Sequence, residues 1–128
     1  MSRGNYAVPV KDIMSKAIVS VNPETTSFQI SKMMEQGGIG AVIVQEENMP
    51  VGIITDRDFA IKIAANNMPH DTPARKIMSS PLVTISHDKS LVEAAKTMSI
   101  MKIRKLAVSD RDAIVGIITS TDLVDHLT

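Results

Sequence analysis

Apolar residues along the chain fall into short runs whose spacing predicts strands and amphipathic helices in alternation. The run Ile18–Val21 is mostly β-branched and predicts a strand, and the segment after it carries apolar residues with helical spacing. Two more apolar runs, Ile39–Val44 and Val51–Ile54, flank a polar turn and predict a β-hairpin. Helical spacing returns between residues 59 and 64. The predicted order is therefore β-α-β-β-α.

The same pattern occurs a second time, 64 residues further along the chain. From Pro9 to Ala64, 15 of 56 positions are identical to the residue 64 positions later, and the longest match is Val51–Thr55 on Val115–Thr119. We therefore expect two repeats, residues 1–68 and residues 69–128, joined by a polar segment without regular structure. A repeat of this size is marginal as an independent fold, so the two are expected to pack together about a pseudo-twofold axis.

One repeated element carries candidate chemistry: Gly-Ile-Ile-Thr-x-x-Asp, at Gly52–Asp58 and at Gly116–Asp122. A buried strand is predicted to end at the Thr, and a helix to begin there. The pattern Thr-x-x-Asp is typical of a helix cap, which satisfies free backbone N–H groups. It also suits a ribose phosphate, because a helix N-terminus and a hydroxyl favour phosphate and a carboxylate accepts hydrogen bonds from ribose. Both interpretations remain open from these residues alone.

Two copies of this order, each with Ile-Met-Ser near its start and Gly-Ile-Ile-Thr-x-x-Asp near its end, resemble the CBS domain family. The resemblance covers the chain from Val10 onward. It implies an α/β fold in which two pseudo-symmetric β-α-β-β-α repeats pack sheet to sheet. It also implies that AMP, ADP, ATP or S-adenosylmethionine binds in the cleft between the repeats. Phosphate and ribose would be contacted by Thr55 and Asp58 in one site, and by Thr119 and Asp122 in the other.

The resemblance further implies that each site takes residues from the opposite half. Residues facing the ligand of Asp58 would be Pro81, Val83, Arg104 and Lys105. Residues facing the ligand of Asp122 would be Ala17, Val19, Gly40 and Ala41. Since only the first set contains cations, the site of Asp58 is expected to prefer phosphorylated ligands. The alternative for Arg104 and Lys105 is a solvated strand edge.

Composition narrows the classes of function. The 14 basic and 14 acidic residues cancel, which gives no electrostatic signature for nucleic acid or an anionic membrane. The absence of cysteine excludes a disulfide scaffold and a cysteine-ligated metal site. The first residues lack the apolar stretch of a signal peptide, and no apolar run approaches the length of a membrane span, so a cytoplasmic protein is expected.

The remaining polar residues show no catalytic arrangement. His70, His87 and His126 have no metal-ligand spacing and are expected on the surface, and no serine or threonine is paired with a base. Gly37 is expected to cap the first long helix. We therefore expect no enzyme, no resident cofactor and no metal.

The resulting hypothesis is a stand-alone sensor of an adenosyl ligand. It would form a homodimer, as CBS family members usually do, and would regulate an unidentified protein partner in trans. The alternatives are an interaction scaffold without ligand and, less favoured because of the zero net charge, a nucleic-acid-binding protein.

Overall fold

The computed structural model describes residues 7–127. Residues 1–6, from which the absence of a signal peptide was inferred, and Thr128, the last residue of the second predicted repeat, lie outside the described part. None of the helices within residues 7–127 is long and apolar enough to cross a bilayer.

Strands and helices follow the predicted β-α-β-β-α order in both repeats. The strands are β1 (Ser20–Val21), β2 (Ala41–Glu46), β3 (Met49–Thr55), β4 (Thr84–Ser86), β5 (Lys105–Asp110) and β6 (Ala113–Thr119). The helices are α1 (Ser27–Gly37), α2 (Asp56–Asp58), α3 (Ala74–Ile77), α4 (Leu91–Met101) and α5 (Ser120–Leu127). A 3₁₀ turn, Val10–Asp12, precedes the first Ile-Met-Ser, and a π-helix, Phe59–Ala64, continues α2. The 3₁₀ turn, α3 and the π-helix were not predicted from the sequence.

Two three-stranded sheets form the β-structure, in the orders β1-β2-β3 and β4-β5-β6. The first two strands of each sheet run parallel, and the last two form the predicted antiparallel hairpin. Both hairpins bulge at equivalent places, after Val44 and after Val108. Each hairpin brings the end of its last strand beside the start of the preceding one, with Thr55 opposite Ala41 and Thr119 opposite Lys105.

The helix boundaries come from local capping residues. Thr26 and Gln29 form a reciprocal capping box at the start of α1, and Ser90 accepts a hydrogen bond from the Glu93 N–H at the start of α4. The prediction that Gly37 caps α1 is wrong by one residue, because Gly37 is the last helical residue and Gly38 adopts the left-handed conformation with φ 63°. Glycine has no Cβ to oppose this conformation. Lys102, which ends α4 at the equivalent position, adopts it at a steric cost.

The chain divides into two compact units that do not coincide with the sequence repeats. Of the described residues, the first unit comprises 19–82, and the second comprises 7–18 together with 83–127. Each repeat therefore gives its opening segment to the unit that contains the hairpin of the other repeat. The repeat boundary at residues 68 and 69 describes the sequence pattern and remains a prediction; the packing follows a different division.

Each unit has its own apolar core. In the first unit the buried aliphatic residues come from β1, α1, β2, β3 and α3, and they include Ile30, Val42, Val44, Ile54 and Ile77. In the second unit they come from the 3₁₀ turn, β4, α4, β5 and β6, and they include Val10, Leu91, Leu106, Val108 and Ile118. The opening segments are thus core elements, since Ile77 and Val10 are fully buried.

The two signature motifs meet at the glycine of each hairpin. Ser79 exchanges two backbone hydrogen bonds with Ile53, at 2.9 and 3.2 Å, and Ser15 does the same with Ile117, at 2.9 and 3.0 Å. A Cβ atom on Gly52 would lie 2.9 Å from the Ser79 carbonyl oxygen, and one on Gly116 would lie 2.9 Å from that of Ser15. The Met-Ser backbone can approach the strand only because the strand residue has no side chain.

Replacing either glycine by alanine should therefore destabilise the fold. We expect Gly52→Ala and Gly116→Ala each to lower the free energy of unfolding by about 1–3 kcal/mol, the usual cost of overpacking. The measurement is urea denaturation followed by circular dichroism. Gly37→Ala is the control, because its Cβ would meet only ordinary contacts at 3.8 Å and alanine favours a helix. Equal stability of Gly52→Ala and Gly37→Ala would contradict this packing account.

Candidate functional site

In the first unit, the Thr-x-x-Asp element lies where β3 ends and α2 begins. The Thr55 backbone N–H donates to Asp58 Oδ2 at 2.8 Å, and the Thr55 hydroxyl donates to the same oxygen at 3.3 Å. Asp58 is only 8% exposed, and it is the one charged residue within residues 7–127 that is classed as buried. A buried carboxylate needs compensation for its lost hydration. The two Thr55 hydrogen bonds supply part of it.

Lys62 supplies the rest of that compensation. Its Nζ lies 3.1 Å from Asp58 Oδ1, one helical turn further along the chain. The same Nζ donates to the Ile77 carbonyl oxygen at 2.9 Å and lies 3.5 Å from the Ser79 hydroxyl. Lys62 thus connects the Asp58 carboxylate to the Ile-Met-Ser segment of the first unit. Lys62 was not predicted as a site residue, although its i+4 spacing from Asp58 is visible in the sequence.

The second unit carries the equivalent element where β6 ends and α5 begins. The Thr119 backbone N–H donates to Asp122 Oδ2 at 2.9 Å, and the Asp122 backbone N–H donates to the Thr119 hydroxyl oxygen at 3.1 Å. This is a reciprocal cap, as the capping interpretation of the sequence predicted. The capping and ligand interpretations remain compatible, because Asp122 Oδ1 has no partner among the described residues.

The strand residues predicted to meet phosphate lie directly beside these elements. Gly40 and Ala41 adjoin Thr55, since Ala41 pairs with Thr55 and the Asp56 N–H donates to the Gly40 carbonyl oxygen at 3.2 Å. In the second unit, Lys105 pairs with Thr119, and the Ser120 N–H donates to the Arg104 carbonyl oxygen at 2.9 Å. The structure therefore places the backbones of Arg104 and Lys105 beside Ser120 and Thr119. Their predicted role at Asp58 stays a prediction.

The residues predicted to face the base are divided between the units. Pro81 and Val19 belong to the first unit, where Pro81 is exposed and the half-buried Val19 accepts a hydrogen bond from the Ile43 N–H at 2.9 Å. Ala17 and Val83 belong to the second unit, where Ala17 is exposed and Val83 is half-buried. In each predicted pair, Pro81 with Val83 and Ala17 with Val19, one residue therefore belongs to the first unit and the other to the second.

The histidines differ from the expectation that all three lie on the surface. His70 is exposed, and His87 lies 3.6 Å from Asp110 in a half-buried position. His126 is also half-buried, and its Nε2 is shielded from solvent with no hydrogen-bond partner among residues 7–127. Position 126 is equivalent to Lys62 in the other repeat. Within the described residues no three histidine or carboxylate side chains are grouped as a metal site would require.

A groove at the other end of the first sheet was not predicted from the sequence. Its volume is about 760 Å³, and it lies beside β1, the start of α1 and the β2–β3 turn. Its lining includes Asn22, Glu24, Gln29, Glu47 and Asn48, which make it polar and partly acidic. Because Thr55 lies at the opposite end of the hairpin from this turn, the groove is separate from the Thr-x-x-Asp element.

Comparison with known proteins identifies the family. The CBS domain family model matches residues 10–65 and again residues 74–128. The chain therefore belongs to the CBS domain family and contains two CBS domains, which confirms the resemblance found in the sequence. Proteins of this family are generally regulatory rather than catalytic.

The chain spans only part of the length of two curated relatives that it matches. An uncharacterized protein of Methanopyrus kandleri is 36% identical over 121 residues, which are 92% of this chain and 62% of that protein. The CBS domain-containing protein YhcV of Bacillus subtilis is 34% identical over 114 residues, which are 89% of this chain and 81% of that protein.

Solved structures confirm the predicted α/β fold. An uncharacterized conserved protein from Pyrococcus horikoshii matches with a TM-score of 0.88 and 27% identity, covering 94% of this chain and 92% of that one. The hexameric CBS-CP12 protein from bloom-forming cyanobacteria matches with a TM-score of 0.85 and 25% identity, covering 91% of this chain and 69% of that one.

Proposed function

We propose that this CBS pair binds an adenosyl ligand, namely AMP, ADP, ATP or S-adenosylmethionine, and acts as a regulatory sensor in trans. The observation that carries the proposal is the position of Asp58 and Asp122. Each carboxylate is fixed at the end of a strand by the backbone N–H of the Thr three residues earlier. A fixed carboxylate at the start of a helix can accept hydrogen bonds from ribose hydroxyls while the helix terminus favours phosphate.

The neighbouring residues support a ligand that carries phosphate in the second unit. Arg104 directly precedes β5 and Lys105 begins it, so both lie beside Thr119 and Ser120, where two cations can balance phosphate charge. Gly40 and Ala41, beside Thr55, carry no charge. The implied contribution of residues from the opposite half to each site stays a prediction.

A regulatory role requires that the ligand change an equilibrium. The ligand can shift a population of states only by binding one of them more tightly than the other. We propose that the output is passed to another protein or another copy of this chain in the cytoplasm. No chemical step is required of the CBS pair itself.

The first test is thermal stability in the presence of ligand. At least one of AMP, ADP, ATP and S-adenosylmethionine should raise the melting temperature by several degrees, because ligand at a hundred times its Kd adds about 2.7 kcal/mol to the folded state. The double variant Asp58→Asn, Asp122→Asn is the matched control, since Asn can still accept from the Thr N–H but lacks the negative charge. An unchanged midpoint with all four ligands at millimolar concentration would contradict the proposal, as would an equal rise in the double variant.

Self-association is the second part of the proposal, and we propose a homodimer. Four large apolar side chains on α4 and α5, two helices that contact each other, are exposed: Ile100, Met101, Val124 and Leu127. Exposed apolar groups concentrated on adjacent helices are typical of an interface between proteins. The similar CBS-CP12 protein is hexameric, which supports self-association of this chain.

Charge placed on these helices should separate the copies. Ile100 is 77% exposed and Val124 is 59% exposed, so the variant Ile100→Lys, Val124→Lys should fold normally and elute with the mass of a monomer. Light scattering coupled to size-exclusion chromatography measures that mass. Met49→Lys, at an exposed apolar site on the first hairpin, should leave the mass unchanged. A monomeric native protein, or a double variant that keeps the native oligomeric mass, would exclude this interface.

A further inference from the structure

The two Thr-x-x-Asp elements share their sequence but differ in how their carboxylates are engaged. A carboxylate has about four acceptor positions. Asp58 uses three of them, two on Oδ2 for Thr55 and one on Oδ1 for Lys62. Asp122 uses one, on Oδ2 for the Thr119 N–H. Both hydroxyls of a ribose can therefore be accepted at Asp122, whereas Asp58 has one position left.

Both threonines belong to a capping box with their aspartate, and they differ in what the hydroxyl proton does. The Thr55 hydroxyl donates its proton to Asp58, so that proton is occupied. The Thr119 hydroxyl accepts from the Asp122 N–H, so its own proton is available to a ligand oxygen. The second unit therefore presents a free hydroxyl donor and free carboxylate acceptor positions, whereas in the first unit the hydroxyl proton is used and one carboxylate position remains.

The difference depends on one side chain. Lys62 is held in place by the Ile77 carbonyl oxygen at 2.9 Å, and the Asp58 side chain that it meets is only 11% exposed. A tethered, partly buried ion pair is harder to displace than an exposed one. The equivalent residue in the other repeat is His126, which makes no ion pair with Asp122 within the described residues.

We propose that Lys62 is a specificity-determining residue that closes the Asp58 element to ribose, so that one adenosyl ligand binds per chain, at Asp122. This inference rests on the proposed function. It reverses the order expected from the sequence, where Arg104 and Lys105 were expected to make the Asp58 site the stronger one. Adenosine is the appropriate probe, because it carries the ribose but no phosphate to be attracted or repelled by the lysine.

The experiment is calorimetric titration of the full chain with adenosine. The native protein should bind one equivalent, which Asp122→Asn abolishes and Asp58→Asn leaves in place. Lys62→Met keeps the length of the side chain but removes its charge, and it should bind a second equivalent, with affinity at the Asp58 element at least about tenfold higher than in the native protein. Adding Asp58→Asn to Lys62→Met should remove that second equivalent.

Two controls separate ligand access from a merely structural role. Lys32→Met removes a lysine of the same unit that also forms an ion pair, with Glu35 at 3.1 Å, and it should change nothing. Lys62→Arg preserves the ion pair and should retain native stoichiometry. If Lys62→Met does not fold, His126→Lys carries the test, because a lysine placed one turn after Asp122 should weaken adenosine at the second unit by about tenfold or more.

The outcomes distinguish the two proposals. Two equivalents in the native protein, or no change in Lys62→Met relative to Lys32→Met, would overturn the role of Lys62 and leave the proposed function standing. Absence of binding in every variant, with AMP, ADP, ATP and S-adenosylmethionine as well as adenosine, would overturn both.

Discussion

The close approach of a Met-Ser backbone to a hairpin glycine is the contact on which each unit depends. At Gly52 and at Gly116 the strand and the incoming segment exchange paired backbone hydrogen bonds through the adjacent residues. The segment also inserts a buried aliphatic residue into the core of the unit, namely Ile77 in the first and Val10 in the second. Since each segment comes from the other repeat, neither repeat carries a complete core of its own.

This arrangement also positions the functional residues. Strand β3 contacts the Met-Ser segment at Gly52 and ends three residues later, at Thr55. Strand β6 does the same at Gly116 and Thr119. A shift in the packing of the Met-Ser segment would therefore move the Thr-x-x-Asp element along with the strand. In the first unit the link is direct, because Lys62 bridges Asp58 to the Ile77 carbonyl oxygen. Such a link could transmit the state of the carboxylate to the segment that closes the core.

Much of the fold followed from the sequence, because the repeat places each predicted element twice. The strand order, the hairpins and the capping role of Thr119 were all visible in the spacing of residues. The exchange of opening segments could not be predicted, since a repeat in sequence does not specify which copy a segment packs against. The π-helix after Asp58 was also missed, because residues 59–64 fit the apolar spacing of an ordinary helix.

The candidate site residues could be predicted from the motif, but the hydrogen bonds and ion pairs among them could not. The positions of Asp58 and Asp122 followed from the motif, and the difference between Lys62 and His126 was present in the aligned repeats. The consequence of that difference could not be predicted, because a lysine four residues after a carboxylate on a surface helix usually forms only a weak ion pair. Only the burial of Asp58 and the tether to Ile77 make this pair different.

The claim that an adenosyl ligand binds at the Thr-x-x-Asp elements is tested most directly by amide chemical shifts. In a two-dimensional NMR titration of the native chain with AMP, the largest changes should fall on the amides of residues 119–122 and their strand neighbours Arg104 and Lys105. The amides of Ser20–Asn22, which line the polar groove at the far end of the first sheet, should stay in place. Changes centred on that groove, or none with any of AMP, ADP, ATP and S-adenosylmethionine at millimolar concentration, would contradict the account.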